Sequence, residues 1–399
     1  MLLKKIFLLS YSAAISFALF AQHTNAEISK KKEVYSLFSD KGFTIEKNNA
    51  ATAVKNQANT GTCWSFSTTA LLESQLMKNN NGNFDLSEMF TVRNMYLEKA
   101  KNYILRQGHT QFSEGGLGHD VIRSVARYGA MPESVYAGLL PGQVSFNHAQ
   151  LISNAKLYLD SILTAGLSGN GNIAQSGDWM KGYVKILDRN LGIPPAEFVF
   201  NNKKYTPSSF ANELMNFKAD DYVNITSFTH QPFYQPFVLE VPDNFSGGSY
   251  YNIPLNEMIE MVKNGLQNGF TFMWDADVSN DGFMQRIGIA VLAESSLMDG
   301  EAINPDIKEM KWDANIRQQL FENLTTQDDH LMQITGLGKS TAGKHFFIVK
   351  NSWGKVGPFD GYINISETYF AINTISLVVP KAAIDKKLLE KLKLNSTNF

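Results

Sequence analysis

The chain has 399 residues, enough for one large domain or two ordinary ones, and its 44% hydrophobic and 12% aromatic content can fill a sizeable core. Lys and Arg number 36 against 38 Asp and Glu, a net charge of −2 with no long basic run, which removes the electrostatic reason to expect nucleic acid as a partner. Cys63 is the single cysteine, so an intrachain disulfide is excluded and a lone thiol has to be explained.

Lys4 and Lys5 precede an apolar stretch over 6–21, and small residues follow. This is the pattern of a secretory signal peptide over 1–26, cleaved after Ala21 or Ala26. The stretch is about 16 residues long, short for the ~20 that span a bilayer, so the expectation is an exported chain, periplasmic or secreted, without a stable membrane anchor. Residues 27–52 are polar and Lys-rich and read as an N-terminal extension lying loosely over the surface. Phe66, Ala70, Leu72, Leu76 and Met77 then recur at helical steps from Cys63, and the Asn79-Asn80-Asn81-Gly82-Asn83 cluster ends that helix. A second helix is expected from Leu86-Ser87-Glu88 to about Arg106. A third is expected over 121–128, capped by Asp120 and stopped at Gly129. Residues 148–190 read as mostly helical with a Gly/Asn break over 166–171. From Asp221 the pattern turns to strands, at 237–241, 270–274, 287–292, 331–336, 345–350 and 361–365, with an amphipathic helix over 255–266. Residues 293–316 read as a surface excursion. The resulting division is a helical lobe with the cysteine and an insertion over 53–220, a β-rich lobe over 221–380 and a tail over 381–399. Helices followed by strands argue for an α+β fold with the halves packed as lobes.

Cys63 sits where a Gly-containing turn becomes a helix. The free N–H groups and positive end of a helix N-terminus favour a thiolate there. A buried inert thiol fits the position equally well until its neighbours are considered. Gln57-Ala58-Asn59-Thr60-Gly61-Thr62-Cys63-Trp64-Ser65-Phe66 resembles the active-site segment of papain-superfamily cysteine peptidases, with Gln57 six residues before the nucleophile and an aromatic residue just after it. Thr60 stands where that family has a half-cystine. Of the seven histidines, His23 falls in the signal region, and His109, His119, His148 and His230 stand isolated. Asp329-His330-Leu331-Met332-Gln333-Ile334-Thr335-Gly336 resembles the family's His segment, and His345-Phe346-Phe347-Ile348-Val349-Lys350-Asn351-Ser352-Trp353-Gly354 its Asn segment. His345 opens the strand that leads to Asn351, which favours His330 as the base.

The resemblance implies a papain-like two-lobe fold, a helical lobe plus a β-barrel-like lobe, here with helical insertions. It also implies a Cys-His-Asn site working through an acyl-enzyme. Cys63 is the expected nucleophile, His330 its base, Asn351 the group that orients the imidazole, and Gln57 an oxyanion donor. Trp353 would shield the His–Asn bond. Gly115 and Gly116, after Glu114, would pair their backbone with an extended peptide or protein substrate. No cofactor is implied, and no metal: the run from Asp275 to Gly282 departs from a calcium loop, with its Gly at the eighth place and Arg286 at the twelfth.

His330 lies 267 positions after Cys63, where about 130 to 150 is usual, and the extra length falls over 142–221 and 293–328. That resembles the bleomycin hydrolase and aminopeptidase C branch, as do the softer matches Tyr205-Thr206-Pro207, Phe245-Ser246-Gly247-Gly248 and Thr326-Gln327-Asp328-Asp329-His330. The branch implies aminopeptidase action, a C-terminal carboxylate that receives the substrate amine in the cleft, and a homo-oligomer. Its members are typically cytosolic, so an exported chain departs from it. A non-catalytic binding protein, and an acyl transferase using the same site, remain open as alternatives.

Overall fold

The computed structural model describes residues 42–167, 178–294 and 303–394, so the signal region and the chain end lie outside the described residues. The helical lobe is built on α1 (Cys63–Lys78), α2 (Glu88–Leu105), α3 (Gly118–Tyr128), α4 (Ala149–Leu167) and α5 (Asp178–Leu191). Helix α1 is buried on nearly every side. Ser65, Ser67, Thr68 and Thr69 fill the positions between its large apolar residues, and these small side chains let neighbours approach from all directions. Ser87 caps α2 by accepting the Phe90 N–H at 3.0 Å. Helix α3 starts earlier than the sequence pattern suggested. Asp120 lies inside its first turn and accepts the Leu117 N–H at 3.2 Å.

The β-rich lobe carries an 11-stranded mixed sheet. Its strands are β1 (Phe43–Asn48), β4 (Tyr222–Thr226), β5 (Pro236–Val238), β6 (Ser249–Asn252), β7 (Phe272–Ala276), β8 (Phe283–Met284), β9 (Ile289–Ala290), β10 (His330–Ser340), β11 (His345–Lys350), β12 (Tyr362–Ser366) and β13 (Thr374–Pro380). The order is β5-β6-β4-β13-β7-β10-β11-β12-β9-β8, with β1 added to the far half of β10. A separate hairpin joins β2 (Phe198–Phe200) and β3 (Lys203–Tyr205) on the helical lobe. Three further helices, α6 (Leu255–Gln267), α7 (Ala314–Glu322) and α8 (Glu367–Asn373), flank the sheet, and α9 (Lys386–Lys391) is the last described helix. No described helix is long and apolar enough to cross a membrane.

Four features differ from the sequence reading. Residues 43–48 are a paired strand, not a loose extension, because Phe43 is buried against Phe346 and Phe359. The strand expected over 237–241 is only Pro236–Val238, and the chain then leaves the sheet for the helical lobe. Helix α7, capped by Asp313, begins at the end of what looked like surface excursion over 293–316 and runs on through a stretch where no element was expected. Strand β13 lies in the middle of the sheet, where no strand was expected. It is buried along its whole length, so it lacks the alternation that betrays a half-buried strand.

The lobes meet where α1 packs on β7 and β10. Gln333 of β10 reaches across with its amide, donating to Ala70 O at 3.0 Å, Ser74 Oγ at 2.7 Å and Thr271 Oγ1 at 3.1 Å. At the start of α3, a Cβ on Gly118 would lie 2.4 Å from Met273 and 2.7 Å from Val378, so only glycine allows this approach.

Candidate active site

The turn before Cys63 is tied to the other lobe. Gln57 N–H donates to Ser352 O at 2.8 Å and Gly354 N–H to Lys55 O at 3.0 Å. Ala58 holds a left-handed φ of +52°, costly for a residue with a Cβ and kept only because both flanks are pinned. The Thr60 hydroxyl donates to Gln57 O at 2.8 Å and meets the Thr62 hydroxyl at 2.6 Å. Hydrogen bonds from Thr60 thus hold the turn that the resembled family holds with a half-cystine. Thr62 caps α1 without a side-chain bond, and its carbonyl accepts the Ser65 and Phe66 N–H groups, so no capping side chain covers the helix start at Cys63.

Gln57 is oriented by the opposite lobe. Ser352 Oγ donates to its Oε1 at 2.6 Å, which turns Nε2 toward the turn, where it donates to Thr60 O at 2.7 Å. One amide hydrogen is left for an oxyanion.

The Leu331 backbone N–H is close enough to the Cys63 thiol to favour its charged form, which places the sulfur beside the opening of β10. His330 is the first residue of that strand. Its Nε2 lies 2.7 Å from Asn351 Oδ1. The Asn351 amide is fixed in turn, because Oδ1 also accepts Ser352 N–H at 2.7 Å and Nδ2 donates to Gln285 Oε1 at 3.0 Å. An amide oxygen only accepts, so His330 carries its proton on Nε2 and leaves Nδ1 bare to take another. The Trp353 ring stacks on the imidazole at 4.6 Å between centroids and 30° between planes, covering the His330–Asn351 bond.

Burial shapes the electrostatics. It pushes the Cys63 thiol up to about 12, opposed by the Leu331 N–H and reinforced by Asp328, Asp275 and Asp243. Burial also pulls His330 down to about 4, opposed by the bond to Asn351. Taken singly, each group is neutral near pH 7. Transfer of the proton from Sγ to Nδ1 creates a pair with no net charge. The attraction within such a pair, about 4 kcal/mol for unit charges about 4 Å apart at an effective dielectric of 20, acts with the helix terminus against the desolvation.

Gly115 and Gly116 lie directly beside this turn. Trp64 Nε1 donates to Glu114 O at 3.0 Å, Gly61 N–H donates to Glu114 Oε2 at 2.6 Å, and a Cβ on Gly116 would lie 3.1 Å from the Trp64 ring. The other histidines are elsewhere. His345 is exposed beside Glu46, His119 is bonded to Tyr250 and Ser246, His148 to Tyr96, and His230 to Gln318. Among the described residues no group of three or more His, Cys, Asp or Glu is arranged to hold a metal ion. Asp277 spends both oxygens on Ser279, Asn280 and the Gln327 N–H. Sequence reasoning missed Gln285 and the role of Ser352. Gln285 lies in a segment with no motif, and nothing local marks it.

The family model described as the Peptidase C1-like family matches residues 11–398. Aminopeptidase C of Lactobacillus delbrueckii subsp. lactis is 22% identical over 414 residues, covering 94% of this chain and 89% of that protein. Bleomycin hydrolase of Gallus gallus is 22% identical over 382 residues, covering 84% of this chain and 82% of that protein. The crystal structure of PepW from Lactobacillus rhamnosis HN001 superposes with a TM-score of 0.71 at 19% identity, covering 91% of this chain and 86% of that one, which shows a shared fold. The chain therefore belongs to the Peptidase C1-like family of cysteine peptidases, on the aminopeptidase C and bleomycin hydrolase branch of the papain superfamily.

Proposed function

We propose that the protein is a cysteine aminopeptidase in which Cys63, His330, Asn351 and Gln57 carry the reaction. The observation that bears most weight is the His330 imidazole, its Nε2 2.7 Å from Asn351 Oδ1, at the start of the strand whose Leu331 N–H acts on the Cys63 thiol. His330 Nδ1 takes the thiol proton and Cys63 Sγ attacks the scissile carbonyl. The backbone N–H of Cys63 and the free N–H of Gln57 stabilise the oxyanion. His330 then protonates the leaving amine, and water, deprotonated by the same imidazole, releases the acyl group. Gly115, Gly116 and Trp353 are the proposed substrate contacts. Aminopeptidase action is supported by the names of the relatives.

Digestion of free-amine and N-blocked peptide amides under reducing conditions, with wild type and Cys63→Ala compared, tests this. Wild type should cleave the free-amine series, and Cys63→Ala should lose at least roughly 10⁴-fold in rate. Cleavage of blocked peptides would make it an endopeptidase. No turnover of any peptide would leave a binding protein, and capture of added amines in the product would mark an acyl transferase.

Export belongs to the same proposal, supported by Lys4, Lys5 and the apolar stretch over 6–21. N-terminal sequencing of the mature chain tests it and distinguishes Ala21 from Ala26. A homo-oligomer rests on the branch resemblance alone, and light scattering of the purified protein tests it.

A further inference from the structure

After β5 the chain leaves the sheet, and residues 239–248 run across the seam onto the helical lobe before returning as β6. Phe245 is buried in the helical-lobe core, and its carbonyl accepts Asn102 Nδ2 at 3.2 Å. Ser246 Oγ donates to Asp120 Oδ1 at 2.9 Å and lies 2.8 Å from His119 Nε2. Within the strap, Asn244 Nδ2 donates to Leu239 O and Gly248 O, each at 2.9 Å. The strap is therefore pinned at both ends and along its length.

Its anchors set Asp243 down on Gly115: a Cβ added to Gly115 would lie 1.8 Å from Asp243 Oδ2. Oδ1 accepts Gln111 Nε2 at 2.7 Å and Ser113 Oγ at 3.4 Å. Oδ2 has no hydrogen-bond donor among the described residues. Behind it, on β7, Asp275 is fully buried. One of its oxygens accepts Ser376 Oγ at 2.9 Å, and the other, Oδ1, finds no donor. The side chain facing Asp275 is the carboxyl of Asp328, two residues before His330. Asp243, Asp275 and Asp328 all lie within electrostatic reach of the Cys63 thiol. Among the described residues the ammonium acting on this cluster is that of Lys99, which donates to Ser113 O and Gly115 O and lies within electrostatic reach of Asp243 and Asp328. Three carboxyl groups thus lie near a single cation: Asp275 and Asp328 hydrogen-bond to each other through a proton that Asp275 holds, and Asp243 Oδ2 has no donor among the described residues.

We propose that Asp243, backed by Asp275 and Asp328, forms a cation-receiving subsite beside Gly115 that binds a primary ammonium of the peptide substrate. The source is either the peptide's α-ammonium or a lysine side chain near its start. This deepens the peptidase reading, resting on Cys63 as the reacting centre, and assigns recognition of the amine to a side chain of the strap. An ammonium supplies up to three donors, enough for Asp243 Oδ2 and the Asp275–Asp328 pair. The strap sits against Gly115, so a chain lying along Gly115 and Gly116 meets this carboxylate where the strap crosses.

Binding to Cys63→Ala, which cannot turn over, tests the subsite apart from catalysis. Calorimetric titration would compare a dipeptide amide, its N-acetylated twin, and an N-acetylated peptide with lysine first. At least one peptide bearing an ammonium should bind about tenfold or more tightly than the acetylated neutral one. Asp243→Asn, of the same shape, should erase that difference while leaving the neutral peptide unchanged. Loss confined to the α-amine or to the lysine peptide identifies the source. Asp328→Asn, which leaves the strap's anchors in place, should weaken the same peptide in the same direction and serves if Asp243→Asn folds poorly. Equal binding of all three peptides, an equal effect of Asp243→Asn on all, or loss of amine preference on deleting residues 395–399 with Asp243→Asn silent would overturn the proposal.

Discussion

Asn351 holds three partners at once, and each does something different for the imidazole. His330 takes its Oδ1, the Ser352 N–H locks that oxygen in place, and Gln285 receives its Nδ2. Gln285 is itself held, its Nε2 donating to Val356 O and Tyr362 O, each at 3.3 Å. It acts only through Asn351, so it is a positioning residue. Gln285→Ala should lower kcat roughly tenfold with little change in KM, and should slow iodoacetamide labelling of Cys63; Gln285→Glu keeps the acceptor but turns an oxygen onto the Val356 and Tyr362 carbonyls, so it should restore only part of both. An unchanged labelling rate in the alanine variant would show that Asn351 needs no support. Gln57→Ala acts on the transition state directly, and its kcat should fall about 10²- to 10³-fold while labelling of the thiol proceeds normally. A fall in KM or labelling instead would mean that Gln57 mainly braces the turn.

At the scale of the element, β10 does several jobs with one strand. Its first half pairs with β7 and carries His330, and its second half pairs with β1. The register with β11 shifts between Ile334 and Gly336. At Gly336 the backbone of β1 comes so close that an added Cβ would lie 2.2 Å from Lys47 O. Backbone cannot swing aside as a side chain can, so Gly336→Ala should destabilise the protein by about 1–3 kcal/mol through overpacking, read as a lower chemical-denaturation midpoint. Because the clash falls in the half of β10 remote from His330, the activity of the folded fraction should survive. Lost activity with unchanged stability would mean that β1 sets the position of the imidazole.

For the whole molecule, burial decides how stability responds to pH. His148 is buried against Tyr96, its Nδ1 3.0 Å from the phenol oxygen, and burial lowers it to about 4. An unfolded chain protonates this group near pH 6.5, but the folded one does so only near 4, so its protonation favours unfolding across that window. The stability advantage of wild type over His148→Gln should be complete above about pH 6.5. It should shrink by about 3 kcal/mol as pH falls to 4. Comparing the pair removes the opposite contribution of Asp328 and Glu133, which burial raises to about 7 and which gain stability on acidification. A constant difference between the two proteins from pH 7 to 4 would show that His148 is solvated.

The sequence by itself singled out the side chains proposed to react. Each lies in a short contiguous segment, at 57–66, 329–336 or 345–354, where spacing along the chain fixes which side chains share a turn or begin a strand. The two-lobe division and the helix that bears Cys63 were legible for the same reason, since periodicity and turn residues act over a few positions. Only the tertiary structure decided that β1 joins β10, that β13 sits at the centre of the sheet, that Gln285 steadies Asn351, and that Asp243 lies on Gly115. Those contacts join residues tens to hundreds of positions apart. They are set by how the lobes pack across their seam, and local propensity holds no record of that.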